Sequence, residues 1–159
     1  MTIRQEKRGG VPVGYIAELD GIEAVSVLYL RLWSDGPHSQ ARVCRDLAAG
    51  LGTVCGSKAI RSFTQLCRLC ANHGRRPLMR HSVDCKCLGA DESCFANFIA
   101  AAAEGEHEDA MLFATLLVRS DVASMVVSCA AEFGLALKRM PLGGAKEITP
   151  MTFRPKTLH

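Results

Sequence analysis

Arg80-His81-Ser82-Val83-Asp84-Cys85-Lys86-Cys87-Leu88-Gly89-Ala90-Asp91-Glu92-Ser93-Cys94 is the stretch on which the fold turns. It holds three of the chain's eight cysteines, one of its five histidines and the turn residue Gly89. From Arg75 to Ala90 no apolar residue recurs at helical spacing, and Pro77 interrupts the backbone. The segments on either side carry apolar stripes of helical period. The stretch therefore reads as a structured loop set into a helical body. The expected architecture is all-α: a single irregular or orthogonal bundle of five to six helices, with the cysteine-rich loop between helices three and four.

Towards the N-terminus, Ser57 to Gly74 predicts the third helix, with Ile60, Phe63, Cys67 and Cys70 on one face and Gly74 as a left-handed stop. Gly50, Gly52 and Gly56 separate it from a second helix that begins after Ser34-Asp35-Gly36-Pro37 and puts Ala41, Cys44, Leu47, Ala48 and Leu51 at core spacing. Asp20-Gly21-Ile22-Glu23 has the form of a capping box. The first helix follows it to about Trp33, its stripe of Ile22, Val25, Tyr29, Leu32 and Trp33 widened by Leu28 and Leu30. A strand is the alternative there, because Val25, Val27 and Tyr29 also alternate.

Towards the C-terminus, Asp91 is expected to cap a fourth helix with Phe95, Phe98, Ile99 and Ala102 inward and Gly105 at its end. A fifth helix, Glu108 to Val118, is apolar nearly all round and is expected at the centre. A sixth, capped by Ser120 or Asp121, carries Val122, Met125, Val126, Cys129, Phe133 and Leu137 in phase. Lys138 and Arg139 close it, where positive charge suits the helix dipole. Residues 1–12 are expected to be a flexible N-terminal arm, 13–140 the helical domain and 141–159 an extended C-terminal tail. The tail's Met151 and Phe153 suit a groove on this subunit or another.

A chain of 159 residues with 48% hydrophobic and 22% charged side chains has enough apolar material for one domain with its own core. A formal charge of +3 does not support nucleic-acid binding. The N-terminus lacks the apolar segment of a secretory signal, and no uninterrupted apolar run reaches the ~18 residues of a membrane span. A cytoplasmic location is the expectation, and there the cysteines are thiols that serve packing, metal ligation or redox chemistry.

His81, Cys85, Cys87 and Cys94 are spaced His-x3-Cys-x-Cys-x6-Cys, a Cys3His donor set of the kind that holds structural zinc. Cys94, close after the expected cap, gains thiolate character from the helix dipole, and Lys86 adds to it. An iron–sulfur cluster on Cys85, Cys87 and Cys94 with Cys67 or Cys70 ranks below zinc, because the usual Cys-x2-Cys-x2-Cys run is absent. The same cysteines also suit small buried hydrophobes. Arg75, Arg76 and Arg80 lie beside the loop, placed for an anion or a protein partner.

Cys67-Arg-Leu-Cys70, with His73 three residues on, resembles the Cys-x-x-Cys-x-x-x-His site of the AhpD-like alkylhydroperoxidase helical family. The resemblance implies dithiol redox chemistry at Cys67 and Cys70. His73 falls one position early for that motif, and Gln65 stands near the place of a proton-relay Glu. Both sulfurs fall on the apolar stripe, so inert core thiols are the alternative. The leading expectation is a small helical binding or regulatory protein, not an enzyme, with a zinc-pinned loop and a protein partner. The rivals are a thiol redox enzyme or sensor using Cys94 or the Cys67/Cys70 pair, and a metal-free helical subunit of a larger assembly.

Overall fold

A computed structural model describes residues 9–141 of the chain. Among them are five α-helices and one two-stranded ribbon: β1 (Pro12–Tyr15), α1 (Gly21–Asp35), α2 (Pro37–His73), β2 (Cys87–Gly89), α3 (Ala90–Glu104), α4 (His107–Leu117) and α5 (Ala123–Arg139). The fold is the expected all-helical bundle. Residues 1–8, and the tail with Met151 and Phe153, lie outside the described residues.

α1 is a helix and not a strand. Its apolar run is too long for one strand, and Val25, Val27, Tyr29, Leu30 and Leu32 are all buried. The predicted capping box is incomplete. Glu23 stands in the first turn, and the Asp20 side chain makes no cap bond.

The predicted second and third helices run together as α2, broken once at Gly52 (φ 86°, ψ 174°). An extended backbone with positive φ is open to glycine and costly for other residues. Gly50 and Gly56 stay helical, since an isolated glycine costs a helix only about 1 kcal/mol. The inward stripe of the first arm is Val43 and Leu47, with Ala41 and Ala48 left in solvent. The larger side chains gain more from burial. The second arm contributes Phe63, whose ring meets Trp33 edge-on at 5.3 Å, Tyr29 at 6.3 Å and Phe133 at 4.7 Å. This aromatic cluster joins α1, α2 and α5.

Gly74 is extended rather than left-handed, and it bridges to Val118 at the end of α4. Gly89, not Asp91, stands at the N-cap of α3, and Gly105 closes that helix in the left-handed region. α4 does not occupy the centre. It buries only Ala110, Ala114 and Leu117, and leaves Leu112 and Leu116 65% and 66% exposed. A narrow alanine face lets it sit close to its neighbours, and among the described residues none covers the far side.

A 3-10 turn at Ser120–Val122 takes the place of the predicted Ser120 or Asp121 cap. α5 then packs against α2, α3 and α4 with Val126, Phe133 and Leu137 inward, and Met125 faces solvent. By length and composition alone Ser120–Arg139 is apolar enough to cross a membrane, with a mean hydropathy of 1.4. The core helix of a helical bundle meets the same criterion, and here its apolar side is spent on neighbouring helices.

The ribbon lies where the sequence suggests a short extended arm, Pro12 to Leu19, on one side and the cysteine-rich loop on the other. β1 runs antiparallel to β2, pairing Pro12 with Gly89, Gly14 with Leu88 and Tyr15 with Cys87, with an irregularity between Pro12 and Gly14. Leu88 packs with Val27 of α1 and Ala96 of α3 and anchors the ribbon to the body. Pro12, the last residue of the expected arm, is the first of β1.

Candidate functional site

The 75–89 loop is organised by Arg31, which lies in the apolar run of α1 and is 4% exposed. Its Nε donates to Glu92 Oε2 at 2.7 Å, and one Nη2 hydrogen goes to Glu92 Oε1 at 2.8 Å. The other three donors go to loop carbonyls: Ser82 at 3.1 Å, Cys85 at 2.7 Å and Cys87 at 2.6 Å. All five guanidinium hydrogens are used. Glu92, fully buried in the first turn of α3, also accepts the His81 amide at 3.0 Å and the Gly89 amide at 2.9 Å. Burial raises its carboxyl pKa, but the Arg31 bonds and the two amides outweigh that and hold it below its ordinary value. A buried charge pair with every valence met rigidifies what it touches. Here that is the loop expected to need an ion.

Asp91 pins the other side of the loop. It receives both Arg76 nitrogens at 2.7 and 2.6 Å and the Met79 amide at 2.8 Å. Gly9 lies against this pair so closely that a Cβ there would fall 2.1 Å from Asp91 Oδ2. Arg75 donates to the Thr115 carbonyl, and Arg80 to the Leu78 carbonyl at 2.7 Å. The three arginines expected on display are thus each engaged within the chain.

The four expected zinc donors do not converge. Cys85 and Cys87 are near neighbours in the loop, and the Cys87 pKa is raised, first by desolvation and then by Cys85. Cys87 is a ladder residue whose neighbour Leu88 points into the core, so it faces the other way. The His81 ring lies against Gly89, where a Cβ would come within 3.1 Å of it, and its Nε2 is buried without a partner. Cys94 is elsewhere, in a hollow with Leu78, Leu116 and Leu117. Among the described residues no group of three or more His, Cys, Asp or Glu is placed to hold a metal ion.

The thiolate expected at Cys94 is also reversed. Cys94 is the fifth residue of α3, and burial followed by the Asp91 charge pushes its pKa up to about 11. Cys67 and Cys70 line one cavity of about 510 Å³ beside Trp33, Leu78 and Phe95. Burial raises both, Cys70 to about 12, and Arg80 offsets only part of the shift at Cys67. Thiols so shifted carry little thiolate near neutral pH.

A groove of about 640 Å³ lies between the second arm of α2 and the C-terminal half of α5. Leu51, Ala59, Leu135 and Ala136 supply its apolar lining. Lys58, Arg61 and Arg139 supply positive charge, and none has a carboxylate partner among the described residues. Glu132, the one acid in the groove, accepts the Ser62 hydroxyl at 2.7 Å. Val54 and Leu135, on the two helices that frame the groove, are 70% and 52% exposed. The sequence reading missed both the groove and Arg31. The available signal for Arg31 was a lone charge inside an apolar helix with a carboxylate in another helix's first turn, since buried charges are paired. The groove left no local signal.

Compared with known protein families, curated proteins and solved structures, the chain shows no significant similarity to any. The short likeness around Cys67 and Cys70 therefore gains no family support.

Proposed function

We propose that this chain is a non-catalytic helical binding protein whose α2–α5 groove receives an amphipathic helix bearing acidic residues. The observation that carries the proposal is the groove itself: an apolar trough with three cations around it that lack carboxylate partners among the described residues. Helix-in-groove recognition uses apolar anchors for affinity and charge for register and rate. Its volume falls within the range of ligand-sized pockets, and Leu135 in its lining is half exposed. The raised thiols support a binding role over a redox one. A cytoplasmic, regulatory setting is part of the same proposal.

The test is fluorescence anisotropy with a labelled, designed helix carrying leucines at i and i+4 and flanking glutamates. Binding is expected to weaken with salt and to be lost in Lys58→Glu/Arg61→Glu. Absence of binding at about 0.1 mM protein would sink the proposal.

Zinc remains a second candidate on one observation: His81 Nε2, in the same loop as Cys85 and Cys87, is buried with no hydrogen-bond partner among the described residues. The two cysteines would hold it with His81 and Cys94 only after the loop rearranged. Stoichiometric zinc in purified protein, with a thermal midpoint that falls on chelation, would support it. An unchanged midpoint would sink the zinc reading and leave Arg31 as what orders the loop.

A further inference from the structure

The chain carries a surface that matches its own groove. The outward side of α4 bears Leu112 and Leu116, one helical turn apart, both about two-thirds exposed. Glu108 and Asp109 precede them on the same side, exposed and with no ion-pair partner among the described residues. Two leucines at i and i+4 with acids one turn before them form an apolar and negative ridge. The groove between α2 and α5 is apolar and positive.

The ridge cannot enter the groove of its own molecule. α4 packs on α3 and α5 through Ala110, Ala114 and Leu117, so Leu112 faces solvent, and Leu116 stands two-thirds exposed at the rim of the hollow that holds Cys94. The groove lies on the other flank of α5, towards the middle of α2. Among the described residues both are open at once in a single chain, and the ridge of another copy is an occupant of matching chemistry.

We propose that the chain self-associates head to tail, the α4 ridge of one copy docking in the α2–α5 groove of the next. The inference rests on the groove being a helix-binding site, and it names the helix. Glu108 and Asp109 meet Lys58 and Arg61, and Leu112 and Leu116 fill the trough between Leu51 and Leu135. The contact joins two different surfaces, so it closes into a ring or extends as a filament according to the rotation between copies.

Sedimentation velocity on the full chain across a range of concentration and salt tests this. The weight-average mass is expected to rise above the 17.2 kDa of one chain with concentration and to fall with salt. Lys58→Glu/Arg61→Glu and Glu108→Lys/Asp109→Lys should each sediment as single chains. An equimolar mixture of the two should associate again, because every junction in an alternating array then pairs opposite charges. That rescue also shows that both variants are folded. Leu112→Ser/Leu116→Ser should weaken association at least about 10-fold without reversing its salt dependence. A wild-type chain that stays single at every concentration overturns the inference, whether the groove is empty or filled by residues 142–159. So does association that both charge-reversed variants retain, or a mixture that fails to recover it. If the designed acidic helix still binds the groove in those cases, the binding function stands and only the identity of its partner falls.

Discussion

Glu92→Gln keeps the shape of one side chain and removes the charge opposite Arg31. Glu92 takes four hydrogen bonds: Arg31 Nη2 and the Gly89 amide on Oε1, Arg31 Nε and the His81 amide on Oε2. A glutamine has one carbonyl oxygen. Whichever way it turns, its own amide hydrogens confront two donors, and the guanidinium is left buried without a counter-charge. Breaking a buried pair from one side costs about 3–5 kcal/mol. Set against a total of roughly 5–15 kcal/mol for a domain of ordinary stability, that brings the variant near its folding limit. With a urea slope of about 2 kcal/mol/M the midpoint should fall by about 1.5–2.5 M. The Gly89 and His81 amides should also exchange with deuterium ahead of the rest of the body.

The effect has a pH signature. The folded Glu92 carboxyl titrates below its ordinary value, so its stabilisation is fully present above the unfolded pKa of about 4.3. It is lost as pH falls through the lower, folded value. The gap between wild type and Glu92→Gln should therefore be widest near neutrality and shrink on strong acidification. A loss under about 1 kcal/mol, or a gap that ignores pH, would refute the claim that this pair holds the loop. Arg31→Met with Glu92→Leu should cost less than the two changes summed, since it removes both charges, and more than nothing, since three loop carbonyls lose their donor.

Gly52→Ala should lower stability by about 1–3 kcal/mol in thermal melts, because φ 86° with ψ 174° strains any L side chain. An unchanged midpoint would mean the α2 break is not held there. Asp91→Asn should cost about 1–3 kcal/mol and speed exchange of the Met79 amide, which it now accepts. With a thiol pKa near 11, Cys94 is roughly one part in ten thousand thiolate at pH 7, so iodoacetamide should modify it slowly, with a rate that climbs steeply above neutrality. Peptide mass spectrometry that finds Cys94 first to react at pH 7 would contradict that assignment.

Much of the fold was legible in the sequence for a simple reason. Phe95, Phe98 and Ile99, or Val126, Phe133 and Leu137, recur at a period that only a helix can turn to one side, and their burial follows. The helix ends at Gly105 and the break among Gly50, Gly52 and Gly56 were also readable, because backbone conformations open to glycine are local facts. Which glycine broke the helix was not readable, since that depends on what the two arms of α2 must reach.

The candidate site was much less legible. The cysteine spacing named a plausible donor set, but ligation needs four side chains aimed at one point, and aim is set by neighbours distant in sequence. Cys87 was turned outward by pairing with Tyr15, and Cys94 was drawn down among Leu78, Leu116 and Leu117. The loop found its anchor sixty-one positions from Glu92, in Arg31. By itself the chain determined where helices form and which sides of most of them are apolar, because period and turn chemistry act over a few residues. Tertiary structure alone decided that a guanidinium orders the loop, that α4 lies outside with its leucines bare, and that α2 and α5 leave a basic trough between them. Those outcomes depend on which surfaces meet, and the free energy of a contact exists only once both partners are in place.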